Sequence, residues 1–142
     1  MVRRKRQSIS QLFIKKAKLR STILRATRRR MDFISNLLRL IEHGGVIFKH
    51  PLELQEAVIT YLFAKWLFWY FDGKTNPSAT YEELDRIRAH SGRGNLNEIL
   101  RRLSSPEESI ILPTETGYML NPEKIEDGLK IVEDYVATRL GR

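Results

Sequence analysis

Twelve of the first thirty residues are Lys or Arg, and none of the thirty is acidic. The basic positions are Arg3, Arg4, Lys5, Arg6, Lys15, Lys16, Lys18, Arg20, Arg25, Arg28, Arg29 and Arg30. The whole chain holds 25 basic and 17 acidic residues, so the part after residue 30 keeps 13 basic residues against all 17 acidic ones. A segment of charge +12 is therefore joined to a remainder of −4. That segregation points to an arm meant for a polyanion on a body that is not. A targeting signal such as Arg3–Arg6 would not continue through Arg30. A secretory leader would need an apolar stretch after its basic start, and none follows.

The arm reads as helix. Met1 to His43 contains neither Gly nor Pro. Ile9, Phe13, Ala17, Leu24, Met31, Ile34, Leu38 and Ile41 fall at spacings of one helical face. Ser8 or Ser10 offers an N-cap and Gly44-Gly45 a stop, so one helix is expected over about residues 10–43, roughly 50 Å long at 1.5 Å per residue. Up to Arg30 it is basic around most of its circumference, as suits a helix lying on nucleic acid. The Met31–Ile41 half reads as a core helix docked on the body. The expected division is an arm over 1–43 and a body over 44–142.

Arg outnumbers Lys in the arm by eight to four, and the planar guanidinium fork suits phosphate pairing. An anionic membrane surface would also attract such a helix, but Lys16, Arg20 and Arg30 interrupt the stripe that would enter lipid. Nucleic acid, taken as double-stranded DNA, is thus the expected partner and a membrane is not. With 142 residues, 42% of them hydrophobic, the chain is long enough for one cored domain and an appendage. The absence of cysteine excludes disulfides, zinc ribbons and thiol chemistry.

The body is punctuated by helix caps. Leu52 to Phe71 forms an almost wholly apolar helix, interrupted by Lys65 and too short for a comfortable membrane span. Its aromatic surface exceeds what one small core needs, which makes Tyr61, Trp66 and Trp69 candidates for contact with another subunit. Thr80-Tyr81-Glu82-Glu83 is a capping box, and Asn95 to Glu98 is a second cap of the same kind. Ser109 to Leu112 and Tyr118 to Asn121 flank Pro-Thr-Glu-Thr-Gly and read as a β-hairpin. Asn121-Pro122 opens the last helix, whose core face is Ile125, Leu129, Val132 and Val136.

This order of elements resembles a winged helix-turn-helix domain over residues 52–138. TYEELDRIRAHSG stands at the second helix, NLNEILRRL at the recognition helix, and IILPTETGYMLNP at the wing. The resemblance implies a compact three-helix core with a small sheet, and DNA contact through the second and third helices. Arg93, Arg101 and Arg102 are the secondary DNA-contact candidates. Against that use, the wing region carries Glu107, Glu108 and Glu115 and no basic residue, and phosphate repels an acidic wing. The fold class expected is mainly α: a long basic N-terminal helix and a compact, winged-helix-like helical body with a small hairpin.

Catalysis has no support. His43, His50 and His90 lie in separate segments without partner carboxylates at metal or triad spacing. The glycines form turns rather than phosphate loops. No enzyme activity, cofactor or metal is expected. The reading that follows is a structural DNA-binding protein that coats or packages DNA through its arm and self-associates, as a homo- or hetero-oligomer, through its body. In general architecture it is similar to the DNA-wrapping capsid proteins of filamentous archaeal viruses, a likeness of arm, body and size without a shared motif. The alternative is a winged-helix transcription regulator. The expected place is inside the cell on nucleic acid, or in a virion.

Overall fold

In the computed structural model, residues 17–41, 45–91 and 94–140 are described. Helix α1 occupies residues 17–29 and is followed by α2 (Met31–Leu37), β1 (Leu38–Ile41) and β2 (Gly45–Phe48). Then come α3 (Leu54–Asp72), β3 (Ala79–Thr80), α4 (Tyr81–Ser91) and α5 (Leu96–Leu103). The chain closes with β4 (Ile111–Pro113), β5 (Gly117–Leu120), a 3-10 turn over Pro122–Lys124, and α6 (Ile125–Leu140). It is mainly α, with two small antiparallel sheets.

The expected continuous helix over 10–43 is corrected in its second half; residues 10–16 lie outside the described part. Arg30 leaves helical geometry (φ −125°, ψ 29°), and its N–H reaches back to Thr27 O (3.2 Å) in a tightened last turn. Leu38 is fully extended at φ −146°, ψ 163°, and Leu38–Ile41 pairs with Gly45–Phe48 instead of extending the helix. Leu38 and Leu40 face inward while Arg39 and Ile41 face out, the period of a half-buried strand. The expected boundary at 43/44 falls in the connection between these strands.

The docking phase of the arm also differs. Leu19 is half-buried and Ile23 and Ala26 are wholly buried in the same core as the body, whereas Met31, expected on the core face, is 50% exposed. Positions 19, 23 and 26 follow the i, i+4, i+7 rule, so this half of the arm is seated on the body rather than held away from it.

Helix α3 is the centre of the molecule. It buries residues on nearly every side, from Leu54 and Val58 through Leu62, Phe63 and Leu67, and packs against α4, α5, α6 and β5. Gly73, at φ 67°, ends it with its N–H on Trp69 O. That left-handed position is one glycine takes at little cost.

The second sheet has the strand order β3-β5-β4. Ile111 lies opposite Leu120 and Pro113 opposite Tyr118, while Ala79 lies opposite Tyr118 from the other side. The hairpin β4–β5 was legible in the sequence; the third strand, β3, was not. Gly117 makes it fit, because a Cβ there would stand 1.9 Å from Ala79 O. The capping box at α4 is complete: Glu83 N–H donates to Thr80 Oγ1 and Thr80 N–H to Glu83 Oε1, both at 3.1 Å. At α5 the Asn95 side chain accepts from Glu98 N–H (3.2 Å). Among the described residues, no helix is long and apolar enough to cross a membrane.

Candidate nucleic-acid interface

The twelve arm cations fall into three groups. Arg3, Arg4, Lys5, Arg6, Lys15 and Lys16 lie outside the described residues, as does Arg93. Lys18, Arg25 and Arg28 are exposed, and Lys18 and Arg25 also border a groove shared with Glu123, Glu126 and Asp127 of the body. Positions 18, 25 and 28 follow the same-face rule, so they form one ridge about 15 Å long at 1.5 Å per residue.

The third group is turned to the body. Arg20 donates from Nη1 to Tyr70 O (3.1 Å) and lies 4.5 Å above the Tyr70 ring. It thereby places a cation at the C-terminal end of α3, whose own last turn has no basic residue. Arg29 donates to Glu126 Oε2 and Arg30 to Glu126 Oε1, both at 2.9 Å. Arg30 Nε also reaches Glu133 Oε1 at 3.4 Å. With only 17% of its side chain exposed, Arg30, expected on phosphate, is engaged in ion pairs with the body. Arg29, 61% exposed, shares the carboxylate and keeps much of its surface in solvent.

Glu126 and Glu133 were missed as the receivers of the arm. They stand seven residues apart on α6, one face of that helix, and that spacing in an acidic body beside a basic arm was the available signal. Burial works against ionisation of Glu126, but the hydrogen bonds from Arg30 and Arg29 outweigh it and hold its carboxyl below the usual range.

The α5 surface is electrically mixed. Arg101 and Arg102 are exposed. The Arg102 guanidinium hydrogen-bonds Gln55 and lies 4.0 Å from Glu108. Glu98, Glu107 and Glu108 share a concavity with both arginines. The turn between β4 and β5 is short and tied down: Thr114 N–H donates to Gly117 O (2.8 Å), and Thr116 Oγ1 donates to Ser78 Oγ (3.2 Å). Its one charged residue, Glu115, is exposed.

The aromatic candidates for self-association are used within the chain. Trp66 is 3% exposed and donates from Nε1 to Leu120 O (2.8 Å), tying α3 to β5. It is core, which corrects the expectation that it meets another copy. Trp69 packs edge-on against it at 5.3 Å. Tyr61 is half-buried and donates to Glu83 Oε2 at 2.5 Å. Burial and that acceptor push the phenol well above its ordinary value. The exposed aromatic of α3 is Phe71, at 73%. Among the described residues, no group of His, Asp and Glu is placed to hold a metal. No family model matches the chain, and no curated protein or solved structure is significantly similar to it.

Proposed function

We propose that this chain is a non-enzymatic structural DNA-binding protein that coats or packages duplex DNA through its basic arm, as a virion coat or architectural nucleoprotein. The observation that carries the reading is the segregation of charge, +12 within the first thirty residues and −4 in the rest. Phosphate contact dominates affinity for nucleic acid and carries no sequence information. The ridge of Lys18, Arg25 and Arg28 supports the reading, because it offers cations on a helix whose other side is fixed in the core. Electron microscopy of the protein mixed with unrelated duplex DNA tests it. Regular filaments are expected; isolated complexes at discrete sites would refute it.

A winged-helix transcription regulator is the second reading, and one observation favours it. The order α3, β3, α4, α5, β4, β5 with strands arranged β3-β5-β4 resembles the winged-helix arrangement, including a first strand that the sequence did not reveal. In that reading α5 enters the major groove. The acids around Arg101 and Arg102 weigh against it. Charge reversal at both positions separates the two: a regulator loses a preferred site, at about 1–3 kcal/mol per good base contact, and a coat loses little.

A further inference from the structure

Among the described residues, the hairpin of β1 and β2 leaves the backbone groups of one strand edge without a backbone partner. Lys49 N–H donates to Leu37 O (2.8 Å), next to a register that sets Leu38 opposite Phe48 and Arg39 opposite Ile47. Alternation along an antiparallel ladder then makes Arg39/Ile47 and Ile41/Gly45 the hydrogen-bonded pairs. It turns the N–H and C=O of Val46 and Phe48 outward from β2. A groove of about 690 Å³ runs along this edge, between Val46, Ile47 and Phe48 of β2 on one side and Tyr61 of α3 with Glu83, Arg86 and Ile87 of α4 on the other. Among the described residues, no backbone hydrogen bond from outside the hairpin reaches Val46 or Phe48.

Exposed edges are normally guarded by a charge, a proline or a bulge. Gly45-Val46-Ile47-Phe48 has none of these, and its pairing with β1 is regular. On the solvent face, Ile41 and Ile47 are 45% and 47% exposed.

We propose that β2 pairs antiparallel with β2 of a second copy, about a two-fold axis at Ile47, merging the two hairpins into one four-stranded sheet. A second copy fits because the edge is self-complementary in this register. Val46 of one chain stands opposite Phe48 of the other, so every outward peptide group of both residues finds a partner. The two exposed Ile47 side chains cover each other, and Gly45 leaves room for the opposing Lys49. Charge favours the same contact. Copies of a chain of net charge +8 repel one another; Gly45 to Phe48 adds no charge of its own to the contact, and Glu83 of the groove stands beside the edge to offset an incoming Lys49. Four residues a side bury far less than the roughly 1,200 Å² of a stable interface. The pair is therefore weak in solution and is reinforced when both copies sit on one polymer.

The pairing does not depend on the DNA reading, and the absence of cysteine makes its test direct. In full-length Ile47→Cys the only thiol meets its mate at a non-hydrogen-bonded pair, with Cα atoms about 4.5 Å apart, within disulfide reach. In Arg39→Cys, on the same face but one strand further in, the two thiols stand about 14 Å apart, three strand spacings. Under mild oxidation without DNA, Ile47→Cys is expected to form covalent dimer at least tenfold faster than Arg39→Cys. Equal rates would overturn the proposal. Val46→Pro removes an outward N–H and no hydrogen bond of the hairpin, a change edge strands tolerate. Placed in the Ile47→Cys chain, it is expected to slow cross-linking tenfold with an unchanged circular dichroism spectrum; an unchanged rate would also overturn the proposal. If the cross-link forms and the protein ignores DNA, the coat reading fails and the pairing stands. If DNA is bound and the rates are equal, the pairing fails alone.

Discussion

Arg30 carries its charge to the inner side of the arm, where Glu126 and Glu133 receive it. Glu126 titrates below 4.5, its value in the unfolded chain, because Arg30 and Arg29 outweigh its burial. Its contribution to stability is therefore complete above about pH 4.5 and is lost as the pH falls through the lowered folded value. A pair this exposed is worth roughly 1 kcal/mol. Thermal unfolding followed between pH 6 and 3 should show stability falling below 4.5, and Glu126→Gln should lower the pH 6 value while flattening that fall. An unchanged acid limb in the variant would remove Glu126 from the account. Trp66 makes the opposite case, a residue whose bulk suggests an interface and whose contacts are internal. Trp66→Phe leaves Leu120 O without its donor in a buried place and should cost about 1–3 kcal/mol. Sedimentation should find its oligomeric state unchanged.

At the scale of elements, the small sheet depends on one close approach. Gly117 lets β5 pass Ala79 O where any Cβ would overlap a backbone atom, and backbone cannot swing aside as a flexible side chain can. Gly117→Ala should therefore cost at least the roughly 1–3 kcal/mol typical of overpacking, read as a lowered denaturation midpoint. It should also release β3, seen as faster amide exchange at Tyr118. A variant as stable as the parent would show that β3 is not held in this register. The break at Arg30 is likewise a consequence of packing. Ile23 and Ala26 of α1 and Ile34 and Leu37 of α2 all reach one core, and the turn at Arg30 lets both helices do so.

Charge is divided along the chain, +12 within the first thirty residues and −4 in the rest, and the seating of α1 changes how its function is to be tested. Deleting residues 1–30 would strip Ile23 and Ala26 out of the core, so lost DNA binding could simply reflect lost folding. Deleting 1–16 removes Arg3, Arg4, Lys5, Arg6, Lys15 and Lys16 and leaves the buried row intact. The truncated protein should stay folded and bind duplex DNA far more weakly. For the full chain, six to ten phosphate contacts predict a loss of about 10³–10⁵ in affinity between 50 and 200 mM salt. Neutralising Lys18, Arg25 and Arg28 together should reduce that salt dependence by about three contacts, while Arg30→Gln should leave it unchanged. Equal salt slopes in the triple variant and the parent would take the ridge out of the interface.

The sequence by itself determined the elements whose cause is local. A long apolar run marked α3, and capping residues and a proline start marked α4, α5 and α6 within a few positions, because a helix end needs its free backbone groups satisfied by whatever lies next to it in the chain. The hairpin β4–β5 was legible for the same reason. Charge along the arm was legible because counting needs no coordinates. Three matters were decided by tertiary structure alone. Leu38–Ile41 suits the period of a helix and of a strand equally, and the strand wins because Val46 and Phe48 turn the same face inward beside it. Two-residue β3 carries no periodicity of its own and exists only because β5 lies alongside. Which arginines face solvent was set by where α1 rests. The acids at 126 and 133, about a hundred residues along the chain from Arg30, claim one side of the helix, and only the fold brings them there.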